Sequence, residues 1–301
     1  MKYFLLGAIT ASAITYSIAT VVPAVAQTTT PQPSLAPNPQ IEIAYVKPAN
    51  PALTSIYAAL QQRKVLETLQ LFLAPLKLPP DRKLVVKFDQ CGGTTGIPYK
   101  QRGPVTICYE YVAQIQQLAP KTAVTLVQGS VTPETAIVGP VVQAVLQQVA
   151  IGVFDSLSLP VWGRVDDAAD RLSAFVMLQF GPDIAWNTIV GTAWFMSGNA
   201  TAAPDLSSVA GAVAQRYYTT LCIAYGGEVR GAKVTAAGAD FRNFVQSAQN
   251  SAAGDLPQSR AQSCPDEYDT IKQAFDSLIL PYVDRMLLQK VQATKWVSFG
   301  G

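Results

Sequence analysis

Apolar and polar residues alternate through Ile41-Glu42-Ile43-Ala44-Tyr45-Val46, a period of two that predicts a first strand. Pro48 and Pro51 close it. From Ala52 to Leu73 the period lengthens: Ile56, Leu60, Leu66, Leu69 and Leu73 supply a helical apolar face, and Pro75, Pro79 and Pro80 end the helix. Leu84-Val85-Val86-Lys87-Phe88 predicts a second strand leading to Cys91 and the turn Gly92-Gly93. The β-branched and aromatic run Val105 to Val112 predicts a third.

Beyond this point the pattern is helical. Thr132 stands at a cap position with Pro133 first in the helix, and Val142, Val145, Leu146, Val149, Val153 and Phe154 repeat at helical spacing as far as Leu157. A second helix is predicted from Asp166 to Phe180, before Gly181-Pro182, and others over 183–195, 208–225, 239–251 and 260–289. Strands first and helices afterwards predict an α+β domain, a small N-terminal sheet beside a mainly helical C-terminal half.

The first residues follow another logic. Lys2, the apolar stretch Phe4 to Val22, Pro23 and the small-x-small triplet Ala24-Val25-Ala26 predict a signal peptide over 1–26, hence export to the periplasm or cell exterior. Thr10, Ser12, Thr15, Ser17 and Thr20 dilute the rival reading, an uncleaved anchor. The Pro-, Thr- and Gln-rich segment 27–40 reads as a disordered leader, and 41–301 as one domain. No later stretch reads as a membrane span; Ile184 to Met196 is too short and carries Asn187.

Composition narrows the chemistry. Lys and Arg number 22 against 20 Asp and Glu, scattered, so no basic surface for nucleic acid is expected. Cys91, Cys108, Cys222 and Cys264 fit two disulfides in an exported chain. Of the three possible connectivities, proximity favours Cys91–Cys108, joining a strand pair, and Cys222–Cys264, joining a helix pair; no C-x₂₋₄-C spacing supports a zinc knuckle. There is no histidine among the 301 residues. That excludes Ser-His-Asp and Cys-His catalysis and any HExxH zinc site. No G-x-S-x-G elbow or SxxK dyad is present, and Gly226 to Lys233 lacks the ending of a phosphate loop.

Val145 to Asp155, followed by Leu159-Pro160-Val161-Trp162-Gly163-Arg164-Val165-Asp166-Asp167-Ala168-Ala169-Asp170, resembles a family of bacterial secreted proteins of gluzincin-like, zinc-metallopeptidase character, catalogued as a domain of unknown function. Its members carry HExxH on one helix and an acidic "LPV-x-GREEDAAD" segment on the next. Further likenesses lie at Cys91-Gly92, Cys108-Tyr109-Glu110, Gln215-Arg216-Tyr217-Tyr218, Cys222, Tyr225-Gly226, Leu256-Pro257, Arg260-Ala261 and Cys264. The resemblance implies a zincin-like fold. Two imidazoles at i and i+4 share one zinc, the intervening glutamate takes a proton from the bound water, and a carboxylate completes the ligands. Position by position, the first histidine falls on Gln147, the glutamate on Gln148, the second histidine on Ile151, the third ligand on Asp166 and a supporting aspartate on Asp170. The amides and the hydrocarbon cannot perform those roles, so no catalytic residue and no metal or other cofactor is expected; the zinc of the family is predicted lost.

The remaining side chains have structural readings. Asp166, Asp167 and Asp170 suit the first turns of a helix, Arg164 is expected to pair with Asp170 or Asp155, and Glu110 to lie on a strand as a pairing residue. Trp162, Trp186 and Trp194 are expected in the core, and the sequon Asn199-Ala200-Thr201 in a loop. The sequence therefore predicts an inactive, exported pseudopeptidase whose former cleft binds an unidentified peptide or protein. The alternatives are a hydrolase using Asp166, Asp167 and Asp170, or a structural envelope protein.

Overall fold

The computed structural model describes residues 35–126, 129–199, 212–232, 241–242 and 256–294. The predicted signal peptide, the leader up to Ser34 and nearly all of the helix expected over 239–251 lie outside the described residues, as do Ala200 and Thr201 of the sequon. Asn38 and Gln40, at the end of the leader, are anchored on the body: Asn38 donates to the Leu76 carbonyl, and the Gln40 amide donates to those of Leu78, Pro79 and Arg82.

Strands β1 (Ile41–Tyr45), β2 (Leu84–Asp89) and β3 (Val105–Cys108) form a three-stranded parallel sheet in that order. Ile41 stands opposite Leu84, and Val86 opposite Val105. Parallel neighbours need a crossover. Between β1 and β2 it is a helix pair, α1 (Thr54–Gln62) and α2 (Val65–Phe72). The single helix expected over 52–73 is thus two, because Lys64 adopts a left-handed conformation after the polar run Gln61-Gln62-Arg63. The Tyr45 hydroxyl ties α2 to β1, donating to Glu67 at 2.9 Å and accepting from the Leu66 N–H at 2.7 Å.

The third strand ends four residues earlier than its β-favouring composition suggests. Tyr109–Leu118 is a helix, α3, with Tyr109, Val112 and Ile115 buried at a spacing of three. Glu110 therefore lies in the first turn of a helix, not on a strand. Its carboxylate accepts the backbone N–H groups of Cys91 and Gly93 and so holds the Gly92-Gly93 turn. Burial opposes ionisation there, but these N–H groups and the helix backbone keep its carboxyl below the usual range. Cys91 and Cys108 are joined at 2.07 Å, stapling the ends of β2 and β3. A short antiparallel pair, β4 (Val124–Leu126) and β5 (Gly129–Val131), follows, additional to the three strands that the sequence pattern predicts.

The helical half is built on α4 (Pro133–Ser156), whose Thr132 cap accepts from the Thr135 N–H. By length and composition alone α4 could cross a membrane, contrary to the expectation that no later stretch would; 72% of its most apolar 18 residues is buried inside the protein. It lies against the sheet at Gly152, where a Cβ would come within 2.6 Å of Leu84 and 2.7 Å of Val105. It crosses α6 (Pro182–Asn199) at Gly191, where a Cβ would sit 2.0 Å from the Thr135 carbonyl oxygen. At Gly191 the two backbones are so close that only glycine is tolerated, while at Gly152 a Cβ would displace side chains of the sheet. Helix α5 (Val165–Met177) packs beside it, and α7 (Val213–Val229) completes the group against α5 and α6.

The segment expected as one helix over 260–289 is broken into α8 (Gln258–Ala261), α9 (Cys264–Ala274), a π turn at Phe275–Ile279 and α10 (Arg285–Ala293). Pro265 opens α9, Pro281 interrupts the ladder, and Asp284 recaps the chain by accepting from Met286 and Leu287. Cys222 of α7 and Cys264 of α9 are joined at 2.02 Å, so both bonds follow the proximity pairing. Gly226 and Gly227 lie inside α7, against Cys264 and Tyr268, and form no phosphate loop.

Candidate functional site

Residues four apart on a helix share a face. On α4 this places Gln143, Gln147 and Ile151 in one row, and on α5 it places Asp166 above Asp170. The two rows meet rung by rung. Gln143 Nε2 donates to Asp170 Oδ1 at 2.9 Å, and one turn further Gln147 Nε2 donates to Asp166 Oδ1 at 3.1 Å. Gln148 donates to Gln147 Oε1 at 3.0 Å. From α7, Arg216 grips Asp170 with both arms of its guanidinium, Nε to Oδ2 at 2.7 Å and Nη2 to Oδ1 at 2.9 Å. Asp170 is 2% exposed and Gln147 6%.

Of the positions singled out in the sequence, Gln147, Gln148, Asp166 and Asp170 therefore converge. Ile151 does not join them. It is 4% exposed and belongs to the hydrophobic core beside the sheet-facing Gly152. Arg164 does not pair with Asp170 or Asp155. As the residue preceding α5 it binds Asp167 at 2.9 Å and Gln215 at 3.1 Å, while Asp155 accepts from Tyr99 and the Arg102 N–H. Asp167 faces outward and Asp170 inward, so the buried partner comes from α7 instead. Trp162 also departs from expectation. It stands 96% exposed in the connection from α4 to α5, whereas Trp186 is buried and Trp194 packs against the core.

Sequence reasoning missed Gln143 and the role of Arg216. A signal for Gln143 exists: a glutamine one helical turn before Gln147 matches the spacing of Asp166 and Asp170. Nothing local distinguishes Arg216. Tyr111 of α3 completes the surroundings; desolvation pushes its hydroxyl up to about 12.

Electrostatics follow from burial. Desolvation would weaken the Arg216 charge, but Asp170 more than compensates and holds the guanidinium protonated above its ordinary value. Desolvation, and next the negative charge of Asp170, push the Asp166 carboxyl above the usual carboxylate range, against the pull of Arg216 and Gln147. A carboxyl whose folded pKa is raised adds stability that is complete below the unfolded value and lost as pH rises through the folded one. Asp166→Asn keeps an oxygen for Gln147 and removes the charge. Its melting temperature relative to wild type is expected to be higher at pH 7, with the difference shrinking as pH falls through the raised range of the Asp166 carboxyl and levelling off below about 4, the unfolded value. Melting curves between pH 3 and 8 check this, and a difference constant with pH would refute it.

Among the described residues, Cys91, Cys108 and Glu110 form a group of three potential metal ligands within reach of one another, but both sulfurs are consumed by the disulfide. The family model described as "Putative metallopeptidase" matches residues 45–279. The chain belongs to that family. The match spans strands β2 and β3, the α4–α5 pair, Arg216 and both disulfides, so the ladder lies inside the family's domain. No curated protein and no solved structure matches the chain.

Proposed function

We propose that this member of the metallopeptidase family is an exported pseudopeptidase, in which a structural hydrogen-bond ladder has taken over the place of metal chemistry. The observation that supports this reading is the engagement of each donor at the motif positions. Asp170 spends both oxygens on Arg216 and Gln143, Asp166 accepts from Gln147, and the Gln147 oxygen accepts from Gln148. The residues do not fit zinc. Two neutral amides and an isoleucine replace the donors and the base, and a fixed guanidinium beside the carboxylates repels a second cation. The two disulfides are consistent with export.

Elemental analysis of the purified mature protein is expected to find no stoichiometric zinc, and peptide substrates are expected to remain intact. One tightly bound equivalent of zinc, or hydrolysis that disappears in Gln148→Ala, would overturn the proposal. A hydrolase built on Asp166, Asp167 and Asp170 is disfavoured because Asp170 and Asp167 are held by Arg216 and Arg164. For a peptide or protein ligand, the candidate contact is Trp162, a large apolar side chain left 96% exposed in the connection from α4 to α5. Peptide binding that survives Trp162→Ala undiminished would remove that reading.

A further inference from the structure

Two apolar cavities lie along α4, away from the ladder. One, of 880 Å³, is walled by α1, α2 and the first half of α4; the other, of 310 Å³, by the second half of α4, α5 and the C-terminal segment. Both are lined by Phe72, Leu146 and Phe180, so they adjoin there. The Phe72 and Phe180 rings, 5.0 Å apart, form the partition. Along α4 the lining runs from Pro133 to Val153, about 30 Å at the helical rise. Packed cores hold few voids larger than a water, whereas spaces of this size are typical of ligand sites.

Each cavity carries one ion pair in its lining: Lys272 with Asp276 in the smaller, adjacent in one helical segment, and Arg63 with Glu134 at the end of the larger. Arg63, with a side chain 65% exposed, meets Glu134 at 3.4 Å across its rim. Glu134 occupies the first turn of α4, where the helix dipole already favours a negative charge. An incoming anion can therefore share or take Arg63 at little cost to Glu134, and the same helix terminus favours that anion.

We propose that the joined cavities bind a single-chain amphiphile, a long-chain fatty carboxylate, with its chain along α4 and its carboxylate at Arg63. The lining is mostly aliphatic and aromatic, with only a few polar side chains such as Thr68, Gln116 and Gln179, so it suits an alkyl chain better than a peptide backbone, most of whose polar groups would go unsatisfied. The Phe72–Phe180 partition must turn aside for a chain to enter the second chamber, so only longer chains use both.

The test is displacement of the fluorescent fatty acid cis-parinaric acid from the purified mature protein by saturated carboxylates of 8 to 18 carbons. Saturable binding of one equivalent is expected, strengthening with chain length over most of the series. Ala59→Trp and Ile137→Trp, which fill the larger cavity from opposite walls, are each expected to weaken palmitate about tenfold or more. Arg63→Glu is expected to weaken palmitate but not hexadecanol, which has the same chain and no charge. Absence of saturable binding, affinity indifferent to chain length, or unchanged palmitate binding in both folded tryptophan variants would overturn the site. Palmitate affinity unchanged in Arg63→Glu would overturn the placement of the carboxylate. The chain-length series needs no variant and decides the matter if the substitutions prevent folding.

Discussion

Asp170→Ala is expected to cost about 3–5 kcal/mol, the range for breaking a buried ion pair by removing one partner. In a protein of this size that is a fall of roughly 10 °C or more in melting temperature. The reason lies in what is left behind. Arg216 keeps its charge in a site where Asp170 was its bidentate partner, and Gln143 loses the oxygen to which it donates at 2.9 Å. Arg216→Met is expected to be nearly as damaging, because it strands a carboxylate that is 2% exposed. The double variant Asp170→Ala with Arg216→Met is expected to lose much less than the sum, since no buried charge remains unpaired. Chemical denaturation of the four proteins closes the cycle. Single variants that each lose under about 1 kcal/mol would show the pair to be incidental.

Replacing Cys222 and Cys264 by alanine together is expected to be the next largest loss. The bridge closes 42 residues, against 17 for Cys91–Cys108. Chain-entropy arguments give about 4 kcal/mol for the longer loop and about 3 for the shorter. The difference should be larger in practice, because Cys222 and Cys264 are both fully buried where Gly226 meets the Cys264 carbonyl. Glu110 independently secures the turn after Cys91, so loss of the first bridge leaves its loop still held at Cys91 and Gly93. Thermal melts of the two double-alanine variants check the order, and a smaller loss for Cys222/Cys264 would reverse this account.

Sequence was informative where one period runs uninterrupted between clear end signals. Helices α4 and α5 are of this kind, with Thr132-Pro133 at one start and Gly181-Pro182 closing the region. It misled where composition and period disagree. Val105 to Val112 is rich in strand-forming residues, yet Tyr109, Val112 and Ile115 bury one helical face, and packing overrode propensity. The breaks at Lys64 and around Pro281 are decided by local backbone choices that an apolar stripe passes over. At the site, the resemblance located four converging residues, and spacing could have added Gln143. Arg216 could not be assigned, because its partner is fixed by how α7 docks, 46 residues away from Asp170.

The order of the elements gives α4 a second significance. Its main helical covers, α5 and α6, are encoded after it, so a growing chain carries this span-like helix before it can be sheltered. Any nascent chain brought near a lipid bilayer in that interval risks being retained there as an anchor. Gln143, Gln147 and Gln148 interrupt its most apolar stretch with amides that hydrocarbon cannot satisfy. The side chains that later form the rungs to α5 thus also discourage the helix from settling in a membrane while the protein is still being made.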